Sequence, residues 1–251
     1  MTLISSNRGI VAIAAATLGL AAFAPSVHAH EGDIGLSFLG GRLVTGIVII
    51  PGPGTNEFVT PGQRTFAGEF ADVSGSIYSA DPGFFSGPLL GQSAPALPAN
   101  SSLRFNILGS LMRWDSVAGN FSAVTPGERL RIEFAAGALS RTSSMDGSNV
   151  SGFGFDTGAT GGFDEHFDYY LDAAAGQTAP AAGIYAIGLD LFIDGLAGSN
   201  SLPYYTVFNF DSPEADHDAA IEYVNSNIVP SPSGVAALVG AGLIAMRRRR
   251  R

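Results

Sequence analysis

Leu130-Arg131-Ile132-Glu133-Phe134 alternates apolar and charged side chains at every step. Successive side chains on a β-strand point to opposite faces, so the pattern predicts a half-buried strand with Leu130, Ile132 and Phe134 inward. The same reading extends in both directions. Leu103-Arg104-Phe105-Asn106-Ile107 alternates in the same way. Tyr185, Ile187, Leu189, Leu191 and Ile193 form one apolar face, with Gly188, Asp190 and Asp194 on the other. Phe163, Phe167, Tyr169 and Leu171 also share a parity, and Leu43 to Ile50 is a nearly continuous apolar run, as in a buried strand. Gly and Pro turn signals separate these segments, at Pro51-Gly52-Pro53-Gly54, Pro61-Gly62, Asp81-Pro82-Gly83, Pro126-Gly127 and Asp194-Gly195. Many short strands joined by such turns predict an all-β fold, a single sandwich or jelly-roll-like domain. Residues 80–101, rich in Pro, Gly, Ser and Ala, read as a long loop or irregular edge.

One short helix is predicted near the C-terminal end of the body. Asp211 or Ser212 can cap it, Pro213 suits its first turn, and Glu214 and Asp216 suit the positive end of its dipole. It would run to about Asn225. His217, Ile221 and Val224 would then share its apolar face.

Both chain ends read as targeting segments. Arg8 precedes an apolar run from Gly9 to Ala24, Pro25 breaks it, and Val27-His28-Ala29 places small residues where signal peptidase needs them. Residues 1–29 are therefore expected to be a secretory signal peptide, with the mature chain beginning at His30. At the other end stand Val229, Pro230 and Pro232, then an apolar run from Val235 to Met246, then Arg247, Arg248, Arg249, Arg250 and Arg251. Twelve residues of helix rise roughly 18 Å, short of the ~30 Å hydrocarbon core, and five fixed positive charges would hold the end on the cytoplasmic side. A stalled export intermediate fits this pattern better than a permanent anchor.

This tail, residues 229–251, resembles the PEP-CTERM sorting signal read by exosortase-type transpeptidases, with Ser231 where the most typical form has Glu. The resemblance implies export, membrane attachment through the tail before processing near Pro230 and Pro232, and display in or beyond a Gram-negative-type envelope. Signal peptidase and the sorting enzyme are the implied partners. The body, residues 30–228, is expected to be one domain.

Composition narrows what the body can do. The chain has no cysteine and no lysine, so disulfides, thiol nucleophiles and thiolate metal sites are excluded. The body holds seven arginines against 22 acidic residues, a net charge of −15, which disfavours nucleic acid as a partner. Residues 156–222 carry twelve carboxylates and no Lys or Arg. A solvated acidic face or a cation site would both account for them.

Candidate chemistry centres on Asp164-Glu165-His166-Phe167-Asp168. If this stretch is one strand, Phe163, Phe167, Tyr169 and Leu171 face the core, and Asp164, His166 and Asp168 project together on the other face. Nitrogen and carboxylate donors without sulfur suit zinc, or copper if the N-terminal amine of His30 joins, and calcium is a further possibility. The body has three histidines, His30, His166 and His217, and the candidate metal set is His30, Asp164, His166, Asp168 and His217. The stretches at 30–36, 165–168 and 204–218 are similar to a subgroup of exported sorting-tail proteins suspected of a link to zinc supply.

No enzyme template emerges from the motifs. Asp156-Thr157-Gly158 resembles the catalytic turn of aspartic proteases, but that chemistry needs two such carboxylates and the chain has one triplet. The surrounding Gly152 to Gly162 run reads better as a flexible glycine-rich turn. Gly-x-Ser-x-Gly, His-Glu-x-x-His and P-loop patterns are absent. A polysaccharide-binding body, with Trp114, Tyr169, Tyr170, Tyr204 and Tyr205 as a sugar platform, or a glycan-active enzyme with paired carboxylates, stand as alternatives to a metal-binding one. So does a passive matrix component.

Overall fold

The computed structural model describes residues 33–52, 55–87, 96–123 and 127–229. The expected signal peptide, His30 and the expected sorting tail from Pro230 onward lie outside the described residues. Among those described, the strands in chain order begin with β1 (Ile34–Leu39), β2 (Arg42–Gly52), β3 (Thr55–Val59), β4 (Thr65–Glu69), β5 (Ala71–Val73) and β6 (Ser76–Ser79). There follow β7 (Phe84–Ser86), β8 (Ser102–Asp115), β9 (Asn120–Ala123), β10 (Arg129–Phe134) and β11 (Leu139–Thr142). The last are β12 (Val150–Asp156), β13 (Phe163–Glu165), β14 (Asp168–Asp172), β15 (Gly183–Ile193) and β16 (Tyr204–Phe210). One helix, α1 (Glu214–Tyr223), runs into a π-helical turn at Val224–Ile228.

These strands form a sandwich. One layer is a six-stranded sheet in the order β12-β8-β15-β16-β4, with β9 paired to β8. The other two sheets are five-stranded, β13-β7-β1-β2-β3 and β11-β10-β14-β6-β5, and one core joins all three. The main core draws on all three: Leu103, Phe105, Tyr185, Leu189 and Phe208 from the first, Ile34, Leu43 and Phe84 from the second, Leu130, Ile132, Tyr169 and Leu171 from the third. Burying this much aliphatic and aromatic surface is the main stabilising term in a chain without disulfides.

Period-two alternation lets the central sheet bury both faces. On β15, Tyr185, Ile187 and Leu189 enter the main core, while Ile184 and Ala186 face the other way. That second face packs with Val207, Met112, Trp114 and Phe121 beneath α1, which contributes Ala220, Ile221 and, one residue on, Val224. β8 is bulged. Its register to β15 passes from Leu108–Gly188 to Met112–Ala186, with Gly109 at φ 72°. Two extra residues preserve parity, so Ile107 and Leu111 both reach the main core while Met112 and Trp114 reach the helix side.

The structure corrects several sequence expectations. Residues 163–171 are two strands in different sheets, with His166 and Phe167 between them. The inward parity survives the break, because Phe167, Tyr169 and Leu171 are all buried. The 80–101 stretch contains β7, which joins β1 in parallel and β13 in antiparallel pairing. The 152–162 run is no flexible turn: β12 passes through Gly152 and Gly154, and Gly158 donates its N–H to the Gly162 carbonyl at 2.9 Å. The residue at the entry of α1 is Pro213 rather than Asp211 or Ser212, and no side chain caps it. Asn209 instead holds the approach, bonding both the N–H and the carbonyl of Ser212.

The two smaller sheets meet at a seam that the chain crosses twice: between β6 and β7, at residues 80–83, and between β13 and β14, at His166–Phe167. In the β1-β7-β13 sheet, Ile34, Phe84 and Glu165 stand in one register row. The neighbouring residues Asp33, Gly83 and His166 therefore flank the end of the same three strands. That row places the candidate site.

Candidate metal centre at the sheet seam

Asp33, Asp164 and His166 each offer a ligand atom, all within 4.8 Å of one another. His166 Nε2 lies 3.7 Å from Asp33 Oδ1 and 4.0 Å from Asp164 Oδ1. The other ring nitrogen is engaged elsewhere. Nδ1 is 3.1 Å from the Ala80 carbonyl, with Asp81 Oδ1 alongside at 3.4 Å. A proton on Nδ1 satisfies that carbonyl and leaves the Nε2 lone pair facing the two carboxylates. This is the arrangement in which an outer hydrogen bond sets the tautomer of a metal-binding histidine.

Local structure explains why these groups can gather. The Ile34 N–H donates to the Gly83 carbonyl at 2.8 Å, fixing the start of β1 against the β6–β7 crossing. Ser79 Oγ donates to the Asp81 carbonyl and accepts from the Asp81 N–H, which holds the turn. Tyr169 Oη donates to the Pro82 carbonyl from inside the core. Gly83 lies between the two sides of the cluster. A Cβ there would come within 2.6 Å of His166 Cε1 and 2.7 Å of Asp33 Oδ1. Only glycine leaves the imidazole and the Asp33 carboxylate where they stand.

Electrostatics match this crowding. Burial raises the Asp33 pKa, partly offset by His166, and the Asp164 and Asp81 carboxylates raise it further. Burial works against charge on His166, but the Ala80 carbonyl and the Asp33, Asp81 and Asp164 carboxylates outweigh it, so its pKa lies above the ordinary 6.5. Three carboxylates around one imidazole leave an excess of negative charge even when the ring is protonated. A proton relieves part of it, and a divalent cation relieves more.

Asp33 and Asp81 are the members that sequence reading missed. Asp81 stands in the Asp81-Pro82-Gly83 turn and Asp33 immediately precedes β1, and nothing in the local sequence ties either one to His166. Asp168 does not join. Its Oδ1 accepts the Tyr78 hydroxyl at 2.9 Å, beside a row in which Arg131 lies over the Tyr170 ring and Tyr170 packs, tilted, against Tyr78. His217 belongs to a separate group with Glu69 and Glu214. Its Nε2 bonds the Val207 carbonyl at 3.0 Å, and its Nδ1 faces Glu69 Oε1 at 3.2 Å. His30 lies outside the described residues.

The other candidates resolve into structural roles. Thr157 Oγ1 donates to the Pro98 carbonyl at 2.8 Å and accepts from the Ser101 N–H at 2.9 Å, so the Asp-Thr-Gly triplet pins the 98–101 segment to the end of β12. The five aromatics do not form a sugar platform. Tyr169 and Tyr204 are fully buried, Tyr170 lies under Arg131, Trp114 packs against Phe121 and Tyr223, and Tyr205 is on the helix side. Among the described residues, no helix is long and apolar enough to cross a membrane.

No family model matches the chain, and no curated protein matches it. Solved structures with some likeness include the CooA pilin subunit from enterotoxigenic Escherichia coli, at 8% identity and TM-score 0.29 over 60% of this chain and 92% of that one. Another is ACE19, the collagen-binding subdomain of the Enterococcus faecalis surface protein ACE, at 9% identity and TM-score 0.23 over 57% of this chain and 93% of that one. At these scores neither likeness says what this chain binds.

Proposed function

We propose that this chain is an exported protein of the cell envelope, sorted by its C-terminal tail, whose β-sandwich body holds one divalent ion at Asp33, Asp164 and His166. Zinc is the favoured ion. The observation that carries this reading is the convergence of the three ligand atoms on the Nε2 side of an imidazole whose Nδ1 is already committed to Ala80. In a tetrahedral zinc site with bonds of about 2.0 Å, ligand atoms stand about 3.3 Å apart. The distances from Nε2, 3.7 and 4.0 Å, need to close by a few tenths of an ångström, which side chains at a partly open seam can do. Two carboxylates and one imidazole leave a fourth position for water, consistent with holding and handing on an ion. The signal peptide and tail would put such a protein where the ion is met outside the cytoplasm.

The test is metal content of the protein recovered after export, so that the chain carries its processed N-terminus. Saturation with zinc is expected to give one ion per chain, and Asp168→Asn is expected to give the same value. Protein that takes up none of zinc, copper or calcium would overturn the metal reading and leave a passive envelope component. The sorting reading is tested separately. Deletion of Arg247 to Arg251 should leave unprocessed protein in the inner membrane, and normal processing of that variant would remove the sorting assignment.

A further inference from the structure

His217 is fully buried although it is ionisable, and it sits where α1 crosses the six-stranded sheet. Two acceptors face its ring from two strands. The Val207 carbonyl on β16 is 3.0 Å from Nε2, and Glu69 at the end of β4 is 3.2 Å from Nδ1. Glu214, one turn earlier on α1, adds a second carboxylate at 4.0 Å from Nδ1. A neutral imidazole has one N–H and cannot donate to both strands. An imidazolium has two and can. The rest of the attachment is apolar: Ala220 and Val224 are buried, and Ile221, Tyr223, Ile228 and Val229 pack half-buried on the same strip, so His217 is the one polar side chain buried in it.

We infer that α1 and the π-helical turn form a latch over the outer face of the six-stranded sheet, closed by a protonated His217 bridging Val207 and Glu69 and loosened when that proton leaves. The strip it covers is apolar, with Ile184, Ala186, Val207 and Trp114 among its members. Burial disfavours charge on His217, but Glu69, the Val207 carbonyl and Glu214 together hold its pKa above 6.5. Among the described residues, the groups that raise it come from three elements: Glu69 from β4, Glu214 from α1 itself, and a backbone carbonyl from β16. The sign follows. A pKa raised in the docked state contributes stability in full below the free value, and that contribution is lost as pH rises through the docked value. The docking constant falls tenfold for each unit separating the two. The latch ends at Val229, next to Pro230, so loosening it lengthens the accessible chain in front of the tail. That consequence rests on the sorting reading, whereas the latch itself does not.

Hydrogen exchange of the exported protein between pH 6 and pH 9, corrected for intrinsic rates, tests this. Amides of residues 217–229 are expected to lose protection progressively as pH rises across the range, while amides of β15 keep theirs. His217→Gln should flatten the profile, and Glu69→Gln should shrink it. His166→Ala should leave it unchanged, which separates the latch from the metal site. A flat profile in the unsubstituted protein would overturn the inference, as would a His217→Gln profile that keeps the full slope. Should His217→Gln fail to fold, an unchanged slope in Glu69→Gln does the same.

Discussion

Phe167→Ala is expected to lower the stability of the body by about 3–5 kcal/mol, the cost of emptying a well-packed aromatic site. Phe167 is fully buried, and its ring lies within 5.1–5.6 Å of Phe84, Phe105, Phe134, Phe153 and Phe155. Those neighbours come from four strands in all three sheets, so no single side chain can relax into the void. Domains of this size hold a total of about 5–15 kcal/mol. The variant should therefore unfold at a much lower denaturant concentration, with an unchanged dependence on denaturant. A loss under about 1 kcal/mol would mean that the sheets close over the gap, contrary to this packing. Phe167 also immediately follows His166, and anchors the crossing between β13 and β14 from which that imidazole projects. Zinc affinity should fall in the same variant even under conditions where it remains folded.

His166→Ala should weaken zinc binding at least about 100-fold, because it removes the one nitrogen donor of the site. Gly83→Ala is the sharper companion. Gly83 does not require a left-handed backbone, so a methyl group there adds no conformational strain. What it meets is the His166 ring and the Asp33 carboxylate, at 2.6 and 2.7 Å, and both must move apart to admit it. The expected result is a loss of about tenfold or more in zinc affinity, within the range for changes that misalign ligands. The thermal transition should shift little, because the displaced groups lie at the partly open seam. Calorimetric titration reads the first quantity and thermal unfolding the second. Wild-type affinity in Gly83→Ala would count against a site built from both Asp33 and His166.

Much of the sandwich was legible in the residues. The alternation at 103–107, 130–134 and 185–193 marks three strands and the correct inward faces, because burial on one side of a sheet repeats every second residue. α1 was legible from Pro213 and its early carboxylates, within about two residues at each end. The candidate site was legible only in part. Asp164 and His166 stood out as a nitrogen donor beside a carboxylate, and the structure keeps them together. Asp168 was drawn into the set by assuming one continuous strand, and the change of sheet at His166–Phe167 turns it toward Tyr78.

By itself the sequence determined an all-β fold class, the inward parity of the main strands and a chain without thiol chemistry. Those properties follow from composition and short-range periodicity, which do not depend on which strand lies beside which. Tertiary structure alone decided that Asp33 and Asp81 stand with His166, that Gly83 gives them room, and that His217 belongs to a helix attachment elsewhere. The reason is pairing across long separations. Parallel pairing of β1 with β7 and antiparallel pairing of β7 with β13 align the ends of three strands that are about 50 and 80 residues apart in the chain.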